Sequence, residues 1–521
     1  MTDLAQDFDS EEFGTVTALE ARFEQFRKRS GFVIAPLVFC GIWFASFPGL
    51  NEQAHRLAAV MATTAVLWIC ESLPMPMTAM LAAAACVMLR IGTHKEVFAP
   101  FADFIMFLFI GSFILARAVF IHGLDKRFAY FVLSQPWIGA RPGRILFGFG
   151  ATTCFMSAWI SNTATTAMMF AIGMSILAVF FRDGDGKKTA AKIDPRYATG
   201  LMLMTSFAAS IGGLATPIGT PPNLIGLGLL KTSLTDPTTG RPTFDLSFFQ
   251  WSMLGFPLVT LLFLFLFFYL NKLCPAGVRE IEGSAQLLQA RRRELGPWTA
   301  GQKSVIIAAL FTVTLWVLPG IVFLIFGGSS PQYALLRDTL NEGAVALVGA
   351  GLLFLLPGDR EGRAISWPEA AKIDWGIVFL YGGGFALGAL ADKTGLAAAI
   401  GQSLVEYVPV HTGLAILIFS TTIAVLVSET TSNTASAQII VPVIIPLSRA
   451  AGVDPVEPAM GAIFGASLGF MLPVSTPCNA IVYGSGYIPL TRMIRYGLLL
   501  DIAGIVVTVL VIHFGLPLVR G

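Results

Sequence analysis

Apolar stretches long enough to cross a lipid bilayer, about 20 residues each, alternate with short charged segments along nearly the whole chain. The pattern predicts spans at 31–48, 55–72, 75–92, 101–121, 197–230, 247–270, 304–326, 340–357, 375–391, 458–490 and 497–516, about 11 in all. Two further stretches, 145–181 and 411–448, run to about 37 residues each. That is slightly short of two crossings and a turn, which suits a re-entrant hairpin whose tip stops inside the protein. Hydropathy alone leaves two full crossings open. Residues 11–30 mix acidic, apolar and basic positions, the pattern of an amphipathic helix on a membrane surface.

Both long stretches are interrupted by the same tripeptide: Ser161-Asn162-Thr163 in the first and Ser432-Asn433-Thr434 in the second. Each is followed by a Thr-Pro-x-Asn break, Thr220-Pro221-Pro222-Asn223 and Thr476-Pro477-Cys478-Asn479. Polar, helix-breaking clusters at membrane depth persist only where they are buried in protein or line a cavity, so two matched clusters predict one solute pocket built from two halves.

Composition agrees with a polytopic membrane protein: of 521 residues 55% are hydrophobic and 13% charged, against about 25% charged in soluble domains. Mean hydropathy is +0.73. Nucleic acid is an unsuitable partner for this surface. The six cysteines show no metal-ligand spacing and read as packing residues. The first 30 residues lack an apolar core with a cleavage signal, so they are expected to be a cytoplasmic segment and not a signal peptide.

With the N-terminus cytoplasmic and both hairpins re-entrant, 24 of the 34 Lys and Arg residues fall on the cytoplasmic side. The same arrangement puts Arg141, Arg144, Arg182, Lys187 and Lys188 beside the first hairpin and Glu406, His411, Asp454 and Glu457 beside the second, with Arg449 the exception. Five crossings separate the hairpins, so the second copy enters from the opposite face.

Further matches keep the same order. Phe107–Phe113 resembles Phe379–Phe385, Ser157 and Ser428 each precede their tripeptide serine by four residues, and Ala209-Ser210-Ile211-Gly212 resembles Ala466-Ser467-Leu468-Gly469. Offsets of 256 to 272 imply an internal duplication, hence an inverted repeat of the secondary-transporter kind. The expected organisation is an N-terminal segment 1–30, scaffold helices with the start of the first repeat 31–121, the first hairpin and broken helix 122–230, scaffold helices and loops 231–374, the second hairpin and broken helix 375–490, and a C-terminal helix 491–521.

Ser, Asn and Thr at a hairpin turn supply the hard oxygen ligands an alkali cation requires. A helix that starts after the turn aims unpaired N–H groups at the same spot. No Lys, Arg or His lies in 157–166, 216–223, 428–436 or 475–479. A bound anion there depends on helix N-termini, hydroxyls, amides and cations bound beside it, and the cations are expected to bind first.

The stretches 157–166, 428–436 and 472–480 resemble the divalent-anion:sodium symporter family over about residues 31–516. The resemblance implies an all-α inverted-repeat transporter of C4-dicarboxylates, citrate or sulfate, coupled to Na+, working as a homodimer of scaffold and elevator-like transport domains. It places one sodium site at Ser157, Ser161, Asn162 and Gly219, and a second at Ser428, Thr431, Asn433 and Ser475. Substrate carboxylates are expected at Asn162, Thr163, Thr220, Asn433, Thr434, Thr476 and Pro477. Cys478 replaces the second proline usual at that break, which puts its backbone in question. No cationic side chain replaces an ion site, so symport is favoured over sodium-independent exchange. Succinate, malate or fumarate come before sulfate and citrate, and the location implied is a bacterial inner membrane in contact with lipid.

Other features have plainer readings. Glu429, next to the second tripeptide, is expected to hold the hairpin by a buried hydrogen bond, because a carboxylate beside an anion repels it. Arg117 reads as structural, the Gly382–Gly384 run as close helix packing or a helix break, and Arg291–Arg293 as a determinant of topology ahead of an acidic-lipid patch. A channel lacks reason for two broken helices and would need a filter run. An intramembrane enzyme would need a catalytic set, and the five histidines are scattered.

Overall fold

The computed structural model describes residues 18–180, 194–235, 243–244, 246–281, 283–328, 330–359, 362–407 and 412–520. Among these there are helices and no strand; the one β-type contact is an isolated bridge between Pro357 and Arg363. Among the described residues six helices are long and apolar enough to cross a membrane, including Phe248–Leu273, Ala300–Phe326 and Leu490–Arg520. Arg182, Lys187, Lys188 and His411, which flank the hairpins in the sequence, lie outside the described residues.

Each long stretch folds as two helices joined by a short turn. The first hairpin is Pro142–Ser157 and Asn162–Phe180; the second is Gly413–Thr430 and Asn433–Ala450. In both, the tripeptide asparagine opens the second helix. Ser432 caps it by accepting from the Ala435 N–H at 3.2 Å, and Ser161 accepts from the Ala164 N–H at 3.4 Å.

The two Thr-Pro-x-Asn elements divide their spans. Pro195–Gly212 stops at a buried loop before Pro221–Ser233, and Val456–Gly465 stops before Pro477–Tyr483. Proline at the first helical position restarts the helix without giving up a bonded N–H. The interrupted backbone is satisfied in the same way twice. The Asn223 amide donates to the carbonyls of Gly213 and Thr216 at 2.9 and 2.8 Å; the Asn479 amide donates to those of Gly469 and Leu472 at 3.1 and 2.9 Å. The partners lie ten and seven residues upstream in both halves. Each staple closes a helix-free segment, and the one at Asn223 is buried, so Asn223→Ala is expected to cost about 1–3 kcal/mol by leaving buried carbonyls unpaired. Thermal unfolding in detergent measures this.

Elsewhere the plain readings gain specific partners. Arg117 pairs with Glu369 at 2.8 Å, so its charge is held by a carboxylate on a neighbouring short helix. The glycine run is a contact surface: a Cβ on Gly382 would meet the Phe101 ring, on Gly383 the Ala79 backbone, and on Gly384 the Gln438 amide. Arg292 stands over the Phe131 ring at 5.0 Å and donates to Ser134 Oγ at 3.2 Å, docking its helix against Leu124–Leu133. The charged N-terminal stretch differs from the expected separate surface helix. From Ala18 it runs into the first span as one helix to Phe44, with no glycine or proline between Ala18 and Gly31 to break it, and Arg27 ties it to Glu71 at 2.9 Å.

Candidate functional site

Each hairpin tip packs on the broken helix of its own half. In the first, Thr216 donates its hydroxyl to the Ala158 carbonyl, which fixes the turn against the break. Ser157, fully buried, donates to Asn162 Oδ1 at 2.7 Å. That oxygen also stands 3.1 Å from the Ala209 carbonyl oxygen and 3.3 Å from that of Gly219. Turned the other way, the amide would donate its NH2 to all three. With the oxygen inward, four oxygens converge with no positive charge among them, a donor set that suits sodium. The Asn162 Nδ2 faces Thr220 Oγ1 at 3.4 Å.

The second tip repeats the arrangement. Ser428 Oγ stands 2.8 Å from Asn433 Oδ1 and 2.7 Å from the Ala466 carbonyl oxygen, two acceptors for its single proton, and Asn433 Nδ2 lies 3.4 Å from the Ser467 carbonyl. Gly469 leaves the room: a Cβ there would stand 3.1 Å from Ser428 Oγ, 3.2 Å from Asn433 Oδ1 and 3.2 Å from the Ser475 Cβ. The corresponding close approach in the first half is at Gly213, where a Cβ would fall 2.3 Å from Asn162 Oδ1.

The structure therefore brings together Ser157, Asn162, Gly219 and Thr220 in one cluster and Ser428, Asn433 and Ser475 in the other. Three expected ligands are less directly placed. The Ser161 side chain is spent on capping, the Thr431 hydroxyl turns back to the Val427 carbonyl at 2.8 Å, and the Ser475 hydroxyl donates to Glu429. Thr163 is exposed and lies with Thr166 and Ser210 beside the Cys478 thiol, which joins the first tip to the second break. Thr434 is half-buried at the start of its helix, Thr476 caps the Asn479 N–H at 3.2 Å, and Pro477 is exposed at the first helical position. Ser206 and Asn479 add a 2.6 Å hydrogen bond between the halves.

Four helices thus begin at this centre, at Asn162, Pro221, Asn433 and Pro477. Among the described residues no lysine, arginine or histidine bonds to any of these tips. Sequence reasoning missed the carbonyls of Ala209, Ala466 and Ser467. The repeated Ala-Ser-x-Gly was their signal, since it opens both breaks.

Cys478 leaves the backbone unchanged. Thr476 has φ −144° and ψ 150°, and Thr220 has φ −145° and ψ 143°. Cys478→Pro is accordingly expected to keep uptake within about twofold of the parent, an effect below ~0.5 kcal/mol. Initial-rate uptake checks it.

Glu429 is 2% exposed and accepts from the Met471 N–H at 2.7 Å, the Leu472 N–H at 3.1 Å and the Ser475 hydroxyl at 2.6 Å. Its structural role is as expected, although what it holds against the hairpin is the second break.

An all-helical fold with paired hairpins and interrupted helices is an architecture that secondary transporters use. Solved structures agree on the fold: the Alcanivorax borkumensis YdaH transporter (TM-score 0.52, 13% identity, covering 94% of this chain and 96% of that one) and Neisseria gonorrhoeae MtrF (TM-score 0.51, 15% identity, 82% and 85%). The chain belongs to the sodium:sulfate symporter family, whose profile, described as the sodium:sulfate symporter transmembrane region, matches residues 27–520. Relatives named sodium-dependent dicarboxylate transporter SdcS include one from Staphylococcus saprophyticus, 31% identical over 94% of this chain and 92% of its own. One from Staphylococcus aureus strain USA300 is 30% identical with the same coverage.

Proposed function

We propose that this protein is a sodium-coupled symporter of C4-dicarboxylates such as succinate, malate and fumarate. The observation that carries the reading is the pair of oxygen clusters at Asn162 and Asn433, each beside helix N-termini and without a basic side chain. Sodium held at each cluster supplies the positive charge that an anion needs at membrane depth. The helix starts at Asn162, Pro221, Asn433 and Pro477 add their partial charges. Ser157, Asn162 and Gly219 serve the first cation; Ser428, Asn433 and the Ser475 backbone serve the second. Thr163, Thr220, Thr434 and Thr476 face the carboxylates with hydroxyls.

In this reading the hairpins and broken helices move as one elevator-like body, related as inverted repeats, against a dimeric scaffold in a bacterial inner membrane with the N-terminus cytoplasmic. The dicarboxylate named for the Staphylococcus relatives supports this substrate class. Uptake by purified protein in liposomes tests it. Saturable succinate uptake that a sodium gradient drives is expected, with citrate and sulfate poor competitors. Flux that ignores sodium and requires internal dicarboxylate would replace the reading with exchange, and preference for sulfate or citrate would replace the substrate.

A further inference from the structure

Where the loop at 275–279 meets the start of the Pro142–Ser157 helix, the surface opens into a crevice of about 570 Å³ lined by Arg141, Arg144 and Arg279. Asn271, Gly143 and Gly277 complete its floor and rim, and among the described residues no acidic one lines it. Arg144 donates to the Trp137 carbonyl at 3.0 Å. Arg141 and Arg279, both exposed, have no ion pair among the described residues. Three like charges around one opening repel one another, and an anion between them removes that repulsion.

The walls are fixed by backbone. The Ile281 N–H donates to the Ala140 carbonyl at 2.7 Å and the Asp194 N–H to the Ala276 carbonyl at 2.9 Å. Gly143 sits tight on Asn271, where a Cβ would stand 2.9 Å from Asn271 Oδ1. The helix that begins here has no side-chain cap, so the positive end of 16 residues adds to the arginine field.

A chain of ring contacts runs beside the crevice, from Trp137 to Phe147 at 6.3 Å, Phe147 to Phe267 at 5.2 Å, and Phe267 to Phe268 at 5.3 Å. Trp137 and Phe268 are exposed. An exposed tryptophan marks the headgroup level of a bilayer, so Trp137 sets the arginines at phosphate depth, with the phenylalanines through Phe268 as apolar surface beneath them. Guanidinium groups match phosphate oxygens in geometry as well as charge.

We propose that this crevice binds the phosphate headgroup of an anionic phospholipid, whose acyl chains lie over the band from Trp137 to Phe268. The aromatic band distinguishes a lipid from free phosphate, because a soluble ion makes no use of it. The site is separate from the hairpin tips and stands whether or not the transported solute is a dicarboxylate.

Native mass spectrometry of the whole protein, titrated with phosphatidylglycerol or phosphatidylcholine, tests the proposal. In Arg141→Gln/Arg144→Gln/Arg279→Gln the first phosphatidylglycerol adduct is expected to weaken about 10- to 100-fold, with phosphatidylcholine adducts unchanged. Equal phosphatidylglycerol binding by variant and parent would overturn it, as would equal binding of the two lipids by the parent. Displacement of phosphatidylglycerol by millimolar inorganic phosphate would assign the arginines to a free anion and also overturn it. Should the triple variant not fold, Arg279→Glu, on a loop outside any helix, is expected to lose the preference for phosphatidylglycerol; retention of that preference would count against the site.

Discussion

Asn162→Ala and Asn433→Ala are each expected to abolish sodium-driven succinate uptake while the protein stays folded and in the membrane. Each asparagine is the meeting point of its cluster: one side-chain oxygen lies within 2.7–2.8 Å of a serine hydroxyl, and each amide also faces the interrupted helix of its own half. Removing a ligand to a charged group costs about 1.5–3 kcal/mol, or about 10- to 150-fold in sodium affinity. The anion depends on both cations, so a loss at one tip is passed to the substrate. Neither residue supports the helix ladder, and alanine favours a helix. The expected pattern is therefore null transport with an unchanged size-exclusion profile, read from liposome uptake and sodium titration. Parental uptake by either variant would remove that asparagine from the site.

Glu429→Ala is expected to act by the other route, through stability. Among the described residues its carboxylate is the only acceptor for the N–H groups of Met471 and Leu472, in a segment that is not helical. Deleting it strands two amides inside the protein, each at about 1–3 kcal/mol, while the Ser475 hydroxyl keeps the residue 429 carbonyl, 3.1 Å away, as its acceptor. A loss of roughly 3 kcal/mol or more follows, seen as a lowered unfolding temperature in detergent together with lost transport. Glu429→Gln, which keeps one acceptor oxygen, should recover part of the stability. Parental stability of Glu429→Ala would mean that the break is held by Asn479 alone.

Much of this arrangement was legible in the sequence because the bilayer narrows the choices. A Ser-Asn-Thr inside 37 apolar residues has few places to go, and both copies open the second limb of a hairpin. The Thr-Pro-x-Asn elements announced the broken helices through proline, and their asparagines proved to be the staples that satisfy the loops. Glu429 was readable as structural from electrostatics alone, yet its partners were not, since Met471 and Leu472 contribute through N–H groups that every residue carries. The carbonyls of Ala209, Ala466 and Ser467 were hidden for the same reason. Thr431 and Ser475 show a different limit: residue type marks a hydroxyl as available, but local geometry turns one to Val427 and the other to Glu429. The single helix from Ala18 to Phe44 was missed because its charge pattern changes at about residue 30 while its backbone does not.

The central claim is that cations, and not basic side chains, make the pocket able to hold a dianion. Equilibrium binding of succinate to the purified protein, measured by calorimetry in sodium and again with choline in its place, tests it most directly. The account predicts binding in sodium that weakens steeply as sodium is withdrawn and disappears in choline. Succinate binding of equal affinity in choline would contradict it.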